Sequence, residues 1–175
     1  MTKLKPLALL AIILYTLIVT SHSTNPKSNT NLIHQTCKHT PNYAICIKYL
    51  EADPRSSTSD VTGLALIMVD VIKTKANSSL NKIKHLIKGT HEPNKKEALN
   101  SCGGRYRAIV EADVPKCVAA LKEGDPKFAE DGANDAAIEA TACENGFFGK
   151  SPLSDDNIAM QDVAAITATI VKQLL

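Results

Sequence analysis

Five cysteines, Cys37, Cys46, Cys102, Cys117 and Cys143, are the first residues in the 175-residue chain able to do chemistry. Thiols can ligate a metal, attack an electrophile or pair with one another. No Cys-x-x-Cys occurs, and His34, His39, His85 and His91 sit away from finger-like spacing, so no metal site is expected. Cys117 lies at helical spacing with Val114, Val118 and Leu121, which reads as a buried thiol rather than a nucleophile. Pairing is left. Five thiols cannot all pair within one chain, and spacing alone does not say which is left over.

Other catalytic chemistry is not in view. No Gly-x-Ser-x-Gly, His-Glu-x-x-His or phosphate-cradling glycine loop is present. The histidines read as solvated or capping groups. Asp155 and Asp156 stand at a helix start, where carboxylates favour the positive end of the dipole. The chain is therefore read as no enzyme, with no cofactor. Two features remain. Asn77-Ser78-Ser79 is a glycosylation sequon, expected on an exposed helix face. Gly124-Asp125-Pro126-Lys127-Phe128-Ala129-Glu130-Asp131-Gly132 is polar, yet it holds one of only three phenylalanines. Phe128 either staples back onto the core or is presented to a partner. In the second case Pro126 fixes the backbone, Lys127 supplies a cation and Phe128 supplies area that loses little entropy on burial.

The apolar pattern supplies the framework around these residues. Residues 1–23 form a secretory leader: Lys3 and Lys5 precede an apolar run from Leu7 to Val19, too short to span a bilayer, with Ser21 and Ser23 before the expected cleavage. Secretion favours disulfides, and no membrane attachment is expected once the leader is gone. Twenty basic and 18 acidic residues give +2; cleavage removes Lys3 and Lys5 and no acid, leaving 18 of each sign. So balanced a charge excludes a non-specific nucleic-acid binder. Residues 24–30 read as a disordered lead-in, and residues 31–175 as one domain.

Within that domain, a short helix is expected over 31–38, and Pro41 is expected to open a second. Asp53-Pro54 ends this hairpin at about residue 57. Helical spacing then runs from Val61 to Ile87 and from Glu97 to Glu123, where Pro115 predicts a kink. It continues from Phe128 to Phe147, and from a Ser154 N-cap through Ile158, Val163, Ile166, Ile170 and Leu174. No period-two alternation persists. The reading is all-α: an up-down-up-down four-helix bundle over about 58–175, preceded by a helical hairpin.

Cys-Lys-His-Thr-Pro-Asn-Tyr-Ala-Ile-Cys (37–46), Leu-Ala-Leu-Ile-Met-Val-Asp (64–70), Cys102, Cys143, the 124–132 stretch and the closing helix together carry a resemblance. The chain resembles the plant invertase and pectin methylesterase inhibitor family, within it the acid-invertase inhibitors, over residues 31 to 175. The resemblance implies the same bundle and hairpin. It implies pairing of Cys37 with Cys46 and of Cys102 with Cys143, closing loops of about 10 and 42 residues, worth roughly 3 and 4 kcal/mol. Cys117 is then a free thiol, able to link two chains only if exposed. The resemblance further implies that Pro126, Lys127 and Phe128, with Asp125 before them, enter the active-site cleft of an acid invertase of the cell wall or vacuole, in a one-to-one complex. Retaining glycosidases hold two carboxylates roughly 5 Å apart, which Lys127 would meet while Phe128 excludes sucrose. Affinity is then expected to fall once those carboxylates protonate. The alternative target is pectin methylesterase, met by the bundle surface. A carrier of small apolar ligands would instead need an internal cavity.

Overall fold

The computed structural model describes residues 26–149 and 151–175, with side chains from residue 29. The leader expected over 1–23 lies outside the described residues, among which every regular element is helical. Helix α1 spans Pro26–Lys38 and α2 spans Tyr43–Ala52. A 3-10 turn, Pro54–Thr58, leads into α3, Val61–Gly89. Helix α4, Pro93–Ala108, passes through a π turn, Ile109–Asp113, into α5, Val114–Glu123. Helices α6, Pro126–Asn145, and α7, Ser154–Lys172, complete the chain.

Helix α3, the α4–α5 rod, α6 and α7 form the four-helix bundle, and α7 closes the ring against α3. The stripe Leu64, Met68, Ile72, Ala76, Ser79 and Ile83 buries one face of α3 at three- and four-residue spacing. Asp60 caps its first turn, its carboxylate accepting from the Gly63 amide at 2.8 Å. The hairpin lies across α3 and α7 and is tied by the Cys37–Cys46 disulfide. Asn29 bonds to the carbonyls of Ser56 and Ser59, and Gln173 Nε2 donates to the Thr36 carbonyl at 3.1 Å.

Four expectations need correction. The first helix starts at Pro26, so residues 26–30 of the expected lead-in are helical; a proline at the first position gives up an amide that would be unpaired anyway, and Asn29 anchors the turn. The second helix opens on Asn42, whose side chain accepts from the Ile45 amide, with Pro41 just outside it. Where Pro115 predicts a kink, the rod passes through the π turn, in keeping with that expectation: Val114 N–H reaches back five residues to the Ile109 carbonyl, which re-registers the backbone ahead of the proline. In α7, Ser154 is the first helical residue, after Leu153 at the N-cap, and its hydroxyl donates to Glu144 at 2.6 Å. Ile158 faces out at 56% exposure. Asn157 takes the inward position, accepting from the Tyr106 hydroxyl at 2.8 Å and donating to Glu144 at 2.6 Å.

Candidate functional site

Gly124 ends α5 in the left-handed region, φ 77°, a conformation that costs other residues strain. Asp125 occupies the N-cap of α6, although its side chain makes no capping bond, and Pro126 stands at the first helical position. The 126–128 tripeptide is therefore the opening turn of a 20-residue helix and not a loop. The staple expectation also fails: Phe128 is 57% exposed. Lys127 beside it is exposed but not free. Its ammonium lies 2.9 Å from Glu130 and 3.1 Å from Asp131, and those hydrogen bonds, to Glu130 first, raise its pKa.

The remainder of α6 seats this turn. Ala129, Ala133, Ala136 and Ala140 bury the inner face of the helix, and small side chains bring it close to α5. The Cys117 thiol donates to the Ala129 carbonyl at 3.3 Å. Gly132 faces the same sulfur so closely that a Cβ there would lie 2.7 Å from Sγ and 3.1 Å from the Asp113 carbonyl oxygen. The structure thus gives Cys117 a packing role. It is free and 1% exposed, and burial pushes its pKa up to about 12. The condition for a disulfide-linked dimer is not met in the folded chain. Sequence reasoning missed Gly132: it lies within the quoted stretch, but only the facing sulfur shows why it is glycine.

Cys37 pairs with Cys46 and Cys102 with Cys143, the second bridge joining α4 to the far end of α6. Asn77 is exposed on α3, its amide donating to the Lys73 carbonyl at 2.9 Å, while the sequon hydroxyl of Ser79 is buried. An enzyme needing both groups reaches them only before the bundle closes. The four histidines form no single cluster, although His85 and His91 line one surface cleft at the end of α3. His34 pairs with the Tyr43 hydroxyl at 2.6 Å and stacks on its ring. Among the described residues no group of His, Cys, Asp and Glu could hold a metal ion, and no helix is long and apolar enough to cross a membrane. A cleft beside the hairpin mixes apolar Tyr49, Ile67 and Val71 with Asp53, Arg55 and Asp70, and Arg55 is gripped by both carboxylates. It is an open surface cleft and not the internal cavity that a carrier of apolar ligands needs.

Comparison with known proteins agrees with this architecture. The chain is 44% identical over 143 residues to the cell wall / vacuolar inhibitor of fructosidase 1 of Arabidopsis thaliana, a match covering 82% of this chain and 69% of that one. It is 25% identical over 166 residues to the pectinesterase inhibitor of Actinidia deliciosa, covering 91% and 89%. Its fold is similar to a crystal structure of a mutant form of a pectin methylesterase inhibitor from Arabidopsis, with a TM-score of 0.69 at 22% identity, over 79% of this chain and 94% of that one. Residues 31–174 match the family described as plant invertase/pectin methylesterase inhibitor. With the bundle, the hairpin and both bridges in place, that match over most of the chain makes it a member of the plant invertase/pectin methylesterase inhibitor family, whose named relatives here are inhibitors and not enzymes.

Proposed function

We propose that the chain is a secreted inhibitor of a plant acid invertase and that the opening turn of α6 blocks the enzyme's active-site cleft. The observation that carries this reading is Phe128: an aromatic more than half exposed, on a turn whose backbone Pro126 fixes and whose next residue is fully buried. A side chain held this way loses little freedom when a partner covers it. Lys127 lies beside it to meet the two carboxylates of a retaining glycosidase, exchanging Glu130 and Asp131 for them. Together the two side chains exclude sucrose, in a one-to-one complex, and Asp125 completes the contact. The 44% identical relative, named an inhibitor of fructosidase of the cell wall or vacuole, supports both the target and the location. Asn77 is the proposed glycan site.

A second reading, inhibition of pectin methylesterase through the bundle surface, is supported by the 25% identical pectinesterase inhibitor. One experiment separates them. The mature protein is mixed with an acid invertase and, separately, with a plant pectin methylesterase near pH 5, and residual activity is measured. Loss of sucrose hydrolysis alone supports the invertase reading. Loss of pectin demethylation alone overturns it in favour of the second, and no effect on either enzyme overturns both.

A further inference from the structure

Asp113 closes the π turn and faces the seam between α5 and α6. Only 9% of it is exposed, and its Oδ2 is buried with no hydrogen-bond partner. Buried polar atoms are so regularly paired that this one needs a reason. The apolar stripe of the rod gives no hint of it. Asp113 is turned inward where the π turn adds a residue to the helical repeat ahead of Pro115.

Its surroundings disfavour charge. Helix α6 presents Asp135 and Glu139, both of its own sign. The cations nearby are already committed: Lys116 of α5 lies 3.0 Å from Asp135, and Arg105 of α4 lies 3.1 Å from Glu139. Among the residues that α3 buries, none is ionisable. The Cys117 thiol, one turn further along α5, holds its proton. On the backbone side, a Cβ on Gly132 would lie 3.1 Å from the Asp113 carbonyl oxygen, so α5 and α6 approach closely at this residue.

We propose that Asp113 is a proton-operated latch on the α5–α6 seam: neutral, it lets the two helices close; ionised, it draws water in and loosens the half of α6 that carries Phe128. Burial, then Asp135 and Glu139, push the Asp113 carboxyl up to about 6, with Lys116 opposing. A carboxyl raised in the folded state contributes stability that is fully present below its unfolded value of 3.8 and is lost as pH rises from there through the folded value. The seam is therefore closed in an acidic compartment and strained at neutral pH. The device belongs to the free protein and does not depend on which enzyme the chain meets.

The test uses the isolated protein, with wild type and Asp113→Asn compared at each pH so that every other titration cancels. At pH 3.5, below the ordinary aspartate value of 3.8, the two should melt nearly together. At pH 7.5 the variant should melt about 3–6 °C higher, with the difference growing between about pH 4 and pH 6 and levelling off above that, and its amides at 129–133 should exchange more slowly than those of wild type. A melting difference independent of pH overturns the proposal. Should the variant not fold, the carboxyl carbon shift of Asp113 in the wild-type protein decides alone: a midpoint near 6 supports the latch, and one in the ordinary aspartate range overturns it. Because no enzyme is present, neither result touches the inhibitor reading.

Discussion

The Cys117 thiol donates to the carbonyl oxygen of Ala129 across 3.3 Å, joining α5 to the residue directly after Phe128. A surface that presents an aromatic must hold it still, and this bond, with the close approach at Gly132, sits directly behind the exposed turn.

The thiol should consequently be inert. With its pKa at about 12, only about one molecule in ten thousand carries the thiolate at pH 8. At pH 5, where Asp113 is neutral and the seam closed, a pyridyl disulfide reagent should label no thiol in the native protein and Cys117 alone in denaturant, and a non-reducing gel should show monomer. Rapid native labelling would mean that the α5–α6 seam opens readily.

Gly132→Ala should destabilise the fold by about 1–3 kcal/mol, because the new methyl group meets Sγ at 2.7 Å and a backbone oxygen at 3.1 Å. Adding Cys117→Ala removes the first obstacle. The double variant should then be more stable than the sum of the two single changes, by about 1 kcal/mol in urea unfolding. Strict additivity would show that the two residues do not meet.

Phe128→Ala should weaken invertase inhibition by about 2 kcal/mol, roughly 30-fold, while leaving the melting temperature nearly unchanged. Lys127→Ala should weaken it less. Lys127 begins paired with Glu130 and Asp131, so its bond to the enzyme replaces one already made. Inhibition constants for the two variants, measured beside their melting curves, check the order. A loss of less than about threefold for Phe128→Ala would remove the tripeptide from the interface.

Tyr106→Phe should cost about 1–3 kcal/mol, since it leaves the buried Asn157 Oδ1 without its donor. Burial pushes the Tyr106 hydroxyl up to about 12. Its proton therefore favours the folded state, and stability should fall as pH rises above 10, where the unfolded chain already ionises. Ultraviolet titration of the chain without residues 1–23 should show one of its three tyrosines, Tyr43, Tyr49 and Tyr106, ionising late in wild type and none doing so in the variant.

Much of this was legible in the sequence because it depends on local spacing. The α3 stripe, the Gly124 stop and the Pro126 start are each specified by residues within a few positions of one another. The features that were missed depend on a second helix. Ile158 and Asn157 are neighbours in sequence, and a reading by hydropathy turns the isoleucine inward. Tyr106 and Glu144 reverse the choice, since they give Asn157 both an acceptor's and a donor's partner. Asp113 reads as a surface residue because the π turn that rotates it inward is not visible in a regular period. The exposure of Phe128 likewise had to be seen, as a staple and a presented aromatic share one local sequence.

The Cys102–Cys143 bridge lies about 22 Å along α6 from Phe128, counting 1.5 Å per residue. The other bridge sits in the hairpin. The covalent framework and the exposed turn are thus built from separate parts of the molecule. On the proposed reading, a gene duplicate could rewrite positions 127 and 128 without disturbing either cross-link, and so change its target while inheriting a finished scaffold. Diversification in such a lineage would then proceed by exchanging a cassette at one tip of a cross-linked chassis.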